Sequence, residues 1–83
     1  MLKVSVISPE SVLFEGETDS VVAPVYYGEL GILTGHAPLM ALLGEGELRL
    51  GAGAARRFRV SGGFLQVLNN DVRVVTEKAT VAG

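Results

Sequence analysis

Residues 56–77 read RRFRVSGGFLQVLNNDVRVVTE, and they show their secondary structure more clearly than the rest of the chain. Phe58 and Val60 alternate with arginines, and Val72 and Val74 flank a further arginine. Apolar and polar side chains that alternate in this way are typical of half-buried β-strands, with one face on a core and the other toward water. The stretch therefore predicts two strands, one on either side of a short connection.

Two dipeptides divide this stretch. Asn69-Asn70 stands between the two apolar segments, and asparagine tolerates the left-handed backbone conformation that tight hairpin turns require. We therefore predict a hairpin at Asn69-Asn70. Gly62-Gly63 interrupts the first strand and is compatible either with a β-bulge or with a sharp corner of the sheet.

The same alternation extends to other parts of the chain. Leu2, Val4 and Val6 alternate with polar residues, and Leu48 and Leu50 flank an arginine. Turn signals rich in glycine, proline and asparagine recur about every eight to ten residues, which suits an antiparallel sandwich or barrel of many short strands. With 83 residues the chain is long enough for one core, so we predict a single all-β domain over residues 1–83.

Composition excludes several classes of function. The formal net charge is −2, which argues against a nucleic-acid-binding protein, because such proteins carry a strong basic excess. Cysteine is absent, so there is neither a disulfide framework nor a thiolate metal site. The first 48 residues hold seven acidic side chains and one lysine, whereas the last 35 hold six basic and two acidic side chains. We expect these charges to lie on outer strand faces that pair across the domain.

The alternation fails in residues 26–43, YYGELGILTGHAPLMALL. Three leucines at its end are expected to form a strand that enters the core: Leu39, Leu42 and Leu43. Several other apolar residues cannot all point inward from so tight a segment: Tyr27, Ile32, Leu33, Ala37 and Met40. A stiff apolar loop on a small acidic domain is typical of a protein contact surface, and plain core packing is the alternative.

His36 is the only histidine of the chain. It lacks a cysteine to activate and a second histidine with which to bind a metal, and the sequence around it contains no nucleophile motif. Its ring either forms hydrogen bonds with the turn backbone or contacts a partner at the surface. We therefore predict no catalytic residue, no cofactor and no metal.

Three segments together resemble a known family: VSVISPESVLFEG at 4–16, GELGILTGHAPLMALLGEGELRL at 28–50 and VSGGFLQVLNNDVRVVTEKA at 60–79. They closely resemble the N-terminal domain of the epsilon subunit of F-type ATP synthases, which is called delta in mitochondria. The resemblance covers the whole chain. It implies a flattened antiparallel β-sandwich of about ten short strands, which agrees with the number of turn signals.

The resemblance also implies a role. The domain would be a non-catalytic central-stalk component that links the gamma subunit to the membrane c ring and couples proton translocation to ATP synthesis. It would be monomeric within the complex and attached to the membrane only through it. The resemblance implies that the domain is located at the cytoplasmic face of the bacterial inner membrane, or on the matrix or stromal side in an organelle.

The resemblance further assigns two sets of contact residues. The residues expected on or near the gamma-facing surface are Ser8, His36, Met40 and Ala41. The residues expected to face the c ring are Tyr27, Gly28, Glu29 and Leu30. The carboxylate of Glu29 would offer charge to the polar loops of the ring.

The chain departs from the family pattern in three respects. Thr34 stands where the family usually has proline, and Gln66 stands where it often has glutamate. The helical hairpin that follows the sandwich in most of the family is absent from these residues. We therefore expect neither inhibition of ATP hydrolysis nor ATP binding from this chain. The alternative function is that of a free-standing sandwich that binds or carries a small ligand between Tyr27 and Met40.

Overall fold

The computed structural model of the protein describes residues 1–51, 53 and 56–82. These residues form eight strands and no α-helix: β1 (Leu2–Ile7), β2 (Val12–Thr18), β3 (Ser20–Val25), β4 (Gly28–Leu33), β5 (Leu39–Leu42), β6 (Glu45–Leu50), β7 (Arg56–Leu68) and β8 (Asp71–Val81). The all-β prediction is confirmed. Within this described part, no helix could cross a lipid bilayer.

The strands are hydrogen-bonded in the order β2-β1-β8-β7-β6-β3-β4, and β5 pairs with β7. All pairs are antiparallel except that of β1 with β8, which is parallel. This pair departs from the purely antiparallel arrangement that the sequence predicted. Local turn signals could not reveal it, because β1 and β8 lie at opposite ends of the chain.

The two longest strands bend together at Gly62-Gly63. On one side, β7 pairs with β8 along nearly its whole length. On its other side, β7 pairs with β6 before the corner and with β5 after it. The corner thus divides the continuous sheet into two layers. Because β7 and β8 pass through it unbroken, with 13 and 11 residues, the structure has eight strands instead of about ten.

The inward-facing positions of β7 change at this corner. Phe58 and Val60 are buried before it, and Leu65 and Val67 are buried after it. The buried positions are therefore even-numbered before the corner and odd-numbered after it. The register between β7 and β8 is the same on both sides of the corner, so the strand changes the face that it turns to the core without an inserted residue. Of the two structures that the sequence left open for the glycine pair, the corner is the one that forms, because a bulge would shift the register and no shift occurs here.

The core lies between the two layers and consists almost entirely of aliphatic side chains. The fully buried residues of largest volume are Phe58, Leu2, Ile32, Leu48, Leu50 and Leu65. Leu43 is buried and Leu39 packs against the core, as the sequence predicted. The prediction for Leu42 was wrong, because its side chain is 63% exposed. Adjacent strand residues point to opposite faces, so Leu42 and Leu43 could not both enter the core.

Candidate functional site

The loop between β4 and β5 carries the sole histidine of the chain. The backbone N–H of His36 donates to the carbonyl of Leu33 at 3.1 Å, and Gly35 has a φ of +86°. In the four-residue segment from Leu33 to His36, the first and fourth residues are joined by a backbone hydrogen bond and the third has positive φ, which is the pattern of a type II β-turn. Glycine is favoured at this third position because other side chains rarely adopt positive φ. The turn therefore places His36 at a defined point beside β5.

The imidazole of His36 is half-buried. Its Nδ1 lies 2.7 Å from the carbonyl oxygen of Ala37, and a carbonyl can only accept, so Nδ1 carries the proton. The other ring nitrogen, Nε2, forms no hydrogen bond with the described residues. The ring thus uses one of its two nitrogens to shape the loop. Among the described residues there is no cluster of three or more histidines and carboxylates that could hold a metal.

Strand β5 places its side chains alternately inward and outward. Met40 is 64% exposed and Leu42 is 63% exposed, whereas Leu39 and Ala41 are half-buried. Met40 and Ala41, both expected at the gamma-facing surface, therefore lie on opposite faces of β5. Of the two, Met40 is the residue whose side chain faces outward.

An apolar row crosses the outward face of the layer that contains β5. Directly paired residues of neighbouring strands share a face, and the register places Leu42 opposite Phe64, Phe64 opposite Val75, Val75 beside Ile7 and Ile7 opposite Val12. We call these five residues the outer apolar row. Leu42 and Val12 at its ends are 63% and 58% exposed, and the other three are half-buried.

The outward face of the other layer is charged. Nη2 of Arg49 lies 3.2 Å from both carboxylate oxygens of Glu29, and Nη1 lies 3.9 Å from Glu47. Arg57 and Arg59 pair with Arg49 and Glu47 across β6 and β7 and are exposed. The outward face of this layer is therefore ionic, whereas that of the layer with β5 carries one apolar row next to polar and charged positions such as Arg73 and Glu15.

The turn between β3 and β4 carries two exposed aromatic rings. Tyr26 and Tyr27 are 72% and 64% exposed, and their rings meet edge to face with centroids 5.0 Å apart. Gly28 and Glu29 are exposed. Leu30 packs against the core instead. Of the residues predicted to face the c ring, the first three thus form an accessible tip.

The tip is attached to β5, because the backbone N–H of Tyr26 donates to the carbonyl of Leu42 at 3.2 Å. The structure thereby brings the tip and Met40 to neighbouring positions. Ser8 lies elsewhere: it follows Ile7, about 14 Å from Leu42 by three strand spacings. Its hydroxyl donates to the carbonyl of Ser11 at 3.3 Å within the turn between β1 and β2.

Sequence reasoning missed most of the outer apolar row. Ile7, Val12, Phe64 and Val75 come from four different strands. The alternation of each strand shows which of its residues share a face, but only the register across strands shows that these four align.

Two open cavities lie away from the segment between Tyr27 and Met40. One, of about 450 Å³, is lined by residues of the turn at Ser8 and by Glu77–Thr80 of β8. The other, of about 330 Å³, lies along β1 and β2. A small-ligand pocket between Tyr27 and Met40, as the alternative function requires, corresponds to neither of them.

Residues 1–82 match a family model described as the ATP synthase delta/epsilon chain, β-sandwich domain. The chain is similar to the ATP synthase epsilon chain of Leptospira borgpetersenii, with 48% identity over 77 residues, which is 92% of this chain and 61% of the relative. It is also similar to the epsilon chain of a Synechococcus species, with 42% identity over 79 residues, covering 94% of this chain and 58% of the relative. The chain thus spans about three fifths of the length of these relatives.

Two solved assemblies contain chains with the same fold. The Euglena gracilis mitochondrial ATP synthase, OSCP/F1/c-ring, has a chain that matches with a TM-score of 0.86 and 21% identity, over 96% of this chain and 52% of that one. The central stalk/c-ring of the Tetrahymena thermophila mitochondrial ATP synthase has a chain that matches with a TM-score of 0.78 and 17% identity, over 95% of this chain and 65% of that one. At these identities the likeness shows the fold alone.

Proposed function

This chain belongs to the delta/epsilon β-sandwich family of ATP synthase subunits, and we propose that it acts as a component of the rotating central stalk. In this role it links the gamma subunit to the membrane ring of c subunits and couples proton translocation to ATP synthesis without performing chemistry itself. The relatives named above are epsilon chains, and the assemblies with similar chains contain c rings. Both facts support the proposal.

The outer apolar row carries the proposal. It crosses five adjacent strands, which corresponds to about 19 Å at the usual strand spacing. An apolar surface of this width on a small acidic domain is typical of a protein contact. We assign it to gamma, with Met40 and His36 at its margin. The ionic face of the other layer remains in water.

The tip formed by Tyr27, Gly28 and Glu29 is assigned to the c ring. It lies next to the end of the outer apolar row at Leu42 but shares no residue with it. The two partners therefore bind to different surfaces and can be bound at the same time. Glu29 is already paired with Arg49, and exposed ion pairs contribute only about 0 to 1 kcal/mol. The carboxylate of Glu29 therefore determines how the tip is oriented on the c ring and contributes little to the affinity.

The proposed role also fixes the location of the chain. It is attached to the membrane through the complex alone, on the cytoplasmic face of a bacterial inner membrane or on the matrix or stromal side of an organelle. Within the complex one copy is sufficient, since the two contact surfaces are different.

The experiment that tests the role measures binding of the chain to purified gamma or to a gamma–c-ring assembly. We expect wild type to bind, and Leu42→Asp and Met40→Asp to weaken binding at least tenfold, about 1.4 kcal/mol, because each places a charge in an apolar contact. The matched control is Leu33→Asp. Leu33 is equally exposed, at 65%, but lies on the outward face of the other layer.

Two results would contradict the proposal. If the folded wild-type chain does not bind gamma at micromolar concentration, the stalk role is wrong. If Leu33→Asp weakens binding as much as Leu42→Asp does, the outer apolar row is not the gamma contact. Circular dichroism of each variant shows that the comparison is between folded proteins.

A further inference from the structure

The turn between β7 and β8 holds the point at which the loop that carries His36, residues 34–38, is attached to the rest of the fold. Oδ1 of Asn70 accepts a hydrogen bond of 2.7 Å from the backbone N–H of Gly35, 35 residues away in the chain. The carbonyl of Asn70 accepts another, of 2.8 Å, from the backbone N–H of Lys3. Asn70 thus connects its own turn, the first strand and the loop that carries His36.

The other hydrogen bonds of this loop are local. The bond from His36 to Leu33 and the bond from the imidazole to Ala37 both join residues within or next to the loop. They shape the loop without attaching it to the sandwich. Among the hydrogen bonds of the described residues, the one from Gly35 to Asn70 is the bond that ties residues 34–38 to another part of the fold.

We propose that Asn70 is a positioning residue for partner docking: its side-chain carbonyl holds the turn at Gly35, and thereby sets where His36 stands relative to the outer apolar row. This inference rests on the proposed function in so far as the loop contacts gamma. A loop that is ordered before binding loses less conformational entropy on docking, and so binds more tightly.

Two properties of asparagine are used at this position. The backbone of Asn70 has a φ of +61°, a conformation that asparagine, aspartate and glycine tolerate better than other residues. Its amide oxygen supplies the acceptor for Gly35. Glycine would keep the first property and lose the second, whereas aspartate would keep both.

Asn69 provides a matched control within the same turn. Its φ is +51°, and its side chain forms no hydrogen bond with the described residues. Replacing either asparagine with glycine therefore has the same kind of effect on the turn backbone. Only Asn70→Gly also removes the bond to the loop.

The test compares wild type, Asn69→Gly, Asn70→Gly and Asn70→Asp by amide hydrogen exchange in the free chain and by affinity for purified gamma. We expect exchange of the Gly35 amide to be about fivefold faster in Asn70→Gly than in Asn69→Gly, since an intramolecular hydrogen bond contributes on the order of that factor. Asn70→Asp should restore the wild-type rate. Gamma affinity should fall at least about threefold in Asn70→Gly alone.

The outcomes separate this inference from the proposed function. Equal Gly35 exchange in the two glycine variants would show that Asn70 does not hold the loop. Faster exchange in Asn70→Gly with unchanged gamma affinity would show that the bond plays no part in docking. If wild type does not bind gamma, the stalk role and the docking part of this inference fail together, and Gly35 exchange still decides whether Asn70 holds the loop.

Discussion

Gly63 lies against the backbone of Val75 at the corner where β7 and β8 bend together. A Cβ atom on Gly63 would overlap the carbonyl oxygen of Val75 and stand 2.8 Å from the Cα of Thr76. Gly63 also has a φ of +102°. The corner that divides the sheet into two layers therefore needs glycine for two independent reasons, conformation and space.

We expect Gly63→Ala to lower the free energy of unfolding by at least about 3 kcal/mol, because it combines backbone strain with an overlap that only a shift of β8 can relieve. For a domain of this size a loss of that order can abolish folding. Urea denaturation followed by circular dichroism measures the change.

Gly31→Ala is the matched control for this prediction. Gly31 also lies in a strand, but a Cβ atom there meets nothing within 4 Å and its φ is not positive. We expect a change in unfolding free energy within about 0.5 kcal/mol. Equal losses for the two alanine variants would mean that the corner does not depend on Gly63.

The turns could be predicted from the sequence because each depends on adjacent residues. Asn69 and Asn70 both have positive φ, as a tight hairpin requires, and so do Gly62 and Gly63. Strand alternation was equally accessible, since it follows from which side chains face the core. Local patterns of turns and alternation were therefore sufficient to predict the all-β fold class.

The outer apolar row could not be predicted, because it depends on register between strands that are distant in sequence. The parallel pairing of β1 with β8 brings Ile7 beside Val75, and no local signal indicates it. The same limit explains the error at Leu42. Leu43 forms a bridge with Val25 and is buried, and this pairing turns Leu42 outward.

Thr34→Pro is expected to stabilise the chain. Thr34 is the second residue of the turn from Leu33 to His36, where proline is favoured, and its N–H makes no backbone hydrogen bond among those of the described residues. The preceding residue, Leu33, is in a strand, which is compatible with a following proline. We expect a gain of about 0.4 to 1 kcal/mol in unfolding free energy.

Thermal and urea unfolding check this gain, with Thr34→Ala as the control that removes the threonine side chain without restricting φ. A loss of stability in Thr34→Pro would mean that the backbone of Thr34 does not have the φ near −65° that proline requires. The resemblance to the family, which usually has proline here, predicts a gain.

Thr76 is the most deeply buried polar side chain among the described residues, at 1% exposure. Its hydroxyl donates to the carbonyl of Lys78 at 2.9 Å, next to the corner. Thr76→Val keeps the shape and removes the donor, so we expect a loss of about 1 kcal/mol in unfolding free energy.

Thr18→Val is the comparison for Thr76→Val. Thr18 is 8% exposed, and its hydroxyl donates to the carbonyl of Ser20 over a longer distance, 3.3 Å. Its replacement should therefore have the smaller effect in the same urea titration. The reverse order would show that the bond at the corner does not stabilise the bend.

Glu29→Gln tests the contact assigned to the c ring. The pair with Arg49 is solvent-exposed, so the unfolding free energy should change by no more than about 1 kcal/mol. Binding to gamma alone should be unchanged, whereas the salt dependence of binding to a gamma–c-ring assembly should become weaker.

Glu47→Gln provides the control, because Glu47 also faces Arg49 but lies on β6, away from the tip. It should leave the salt dependence as in wild type. If the two variants behave alike, Glu29 has no particular role at the ring. If Glu29→Gln also weakens binding to gamma alone, the assignment of the tip to the c ring is wrong.

His36 can be tested one ring nitrogen at a time. Asparagine places an N–H donor near the position of Nδ1 and can keep the bond to Ala37, whereas glutamine places a polar group near the position of Nε2 and loses that bond. If Nε2 contacts gamma, His36→Gln should retain most of the affinity, while His36→Asn should lose about 1 kcal/mol, roughly fivefold. If His36 serves only to shape the loop, the order is reversed: asparagine preserves Gly35 amide protection and gamma affinity, and glutamine lowers both. Calorimetric titration with gamma, read together with hydrogen exchange of the free variants, distinguishes a contact residue from a residue that supports the turn.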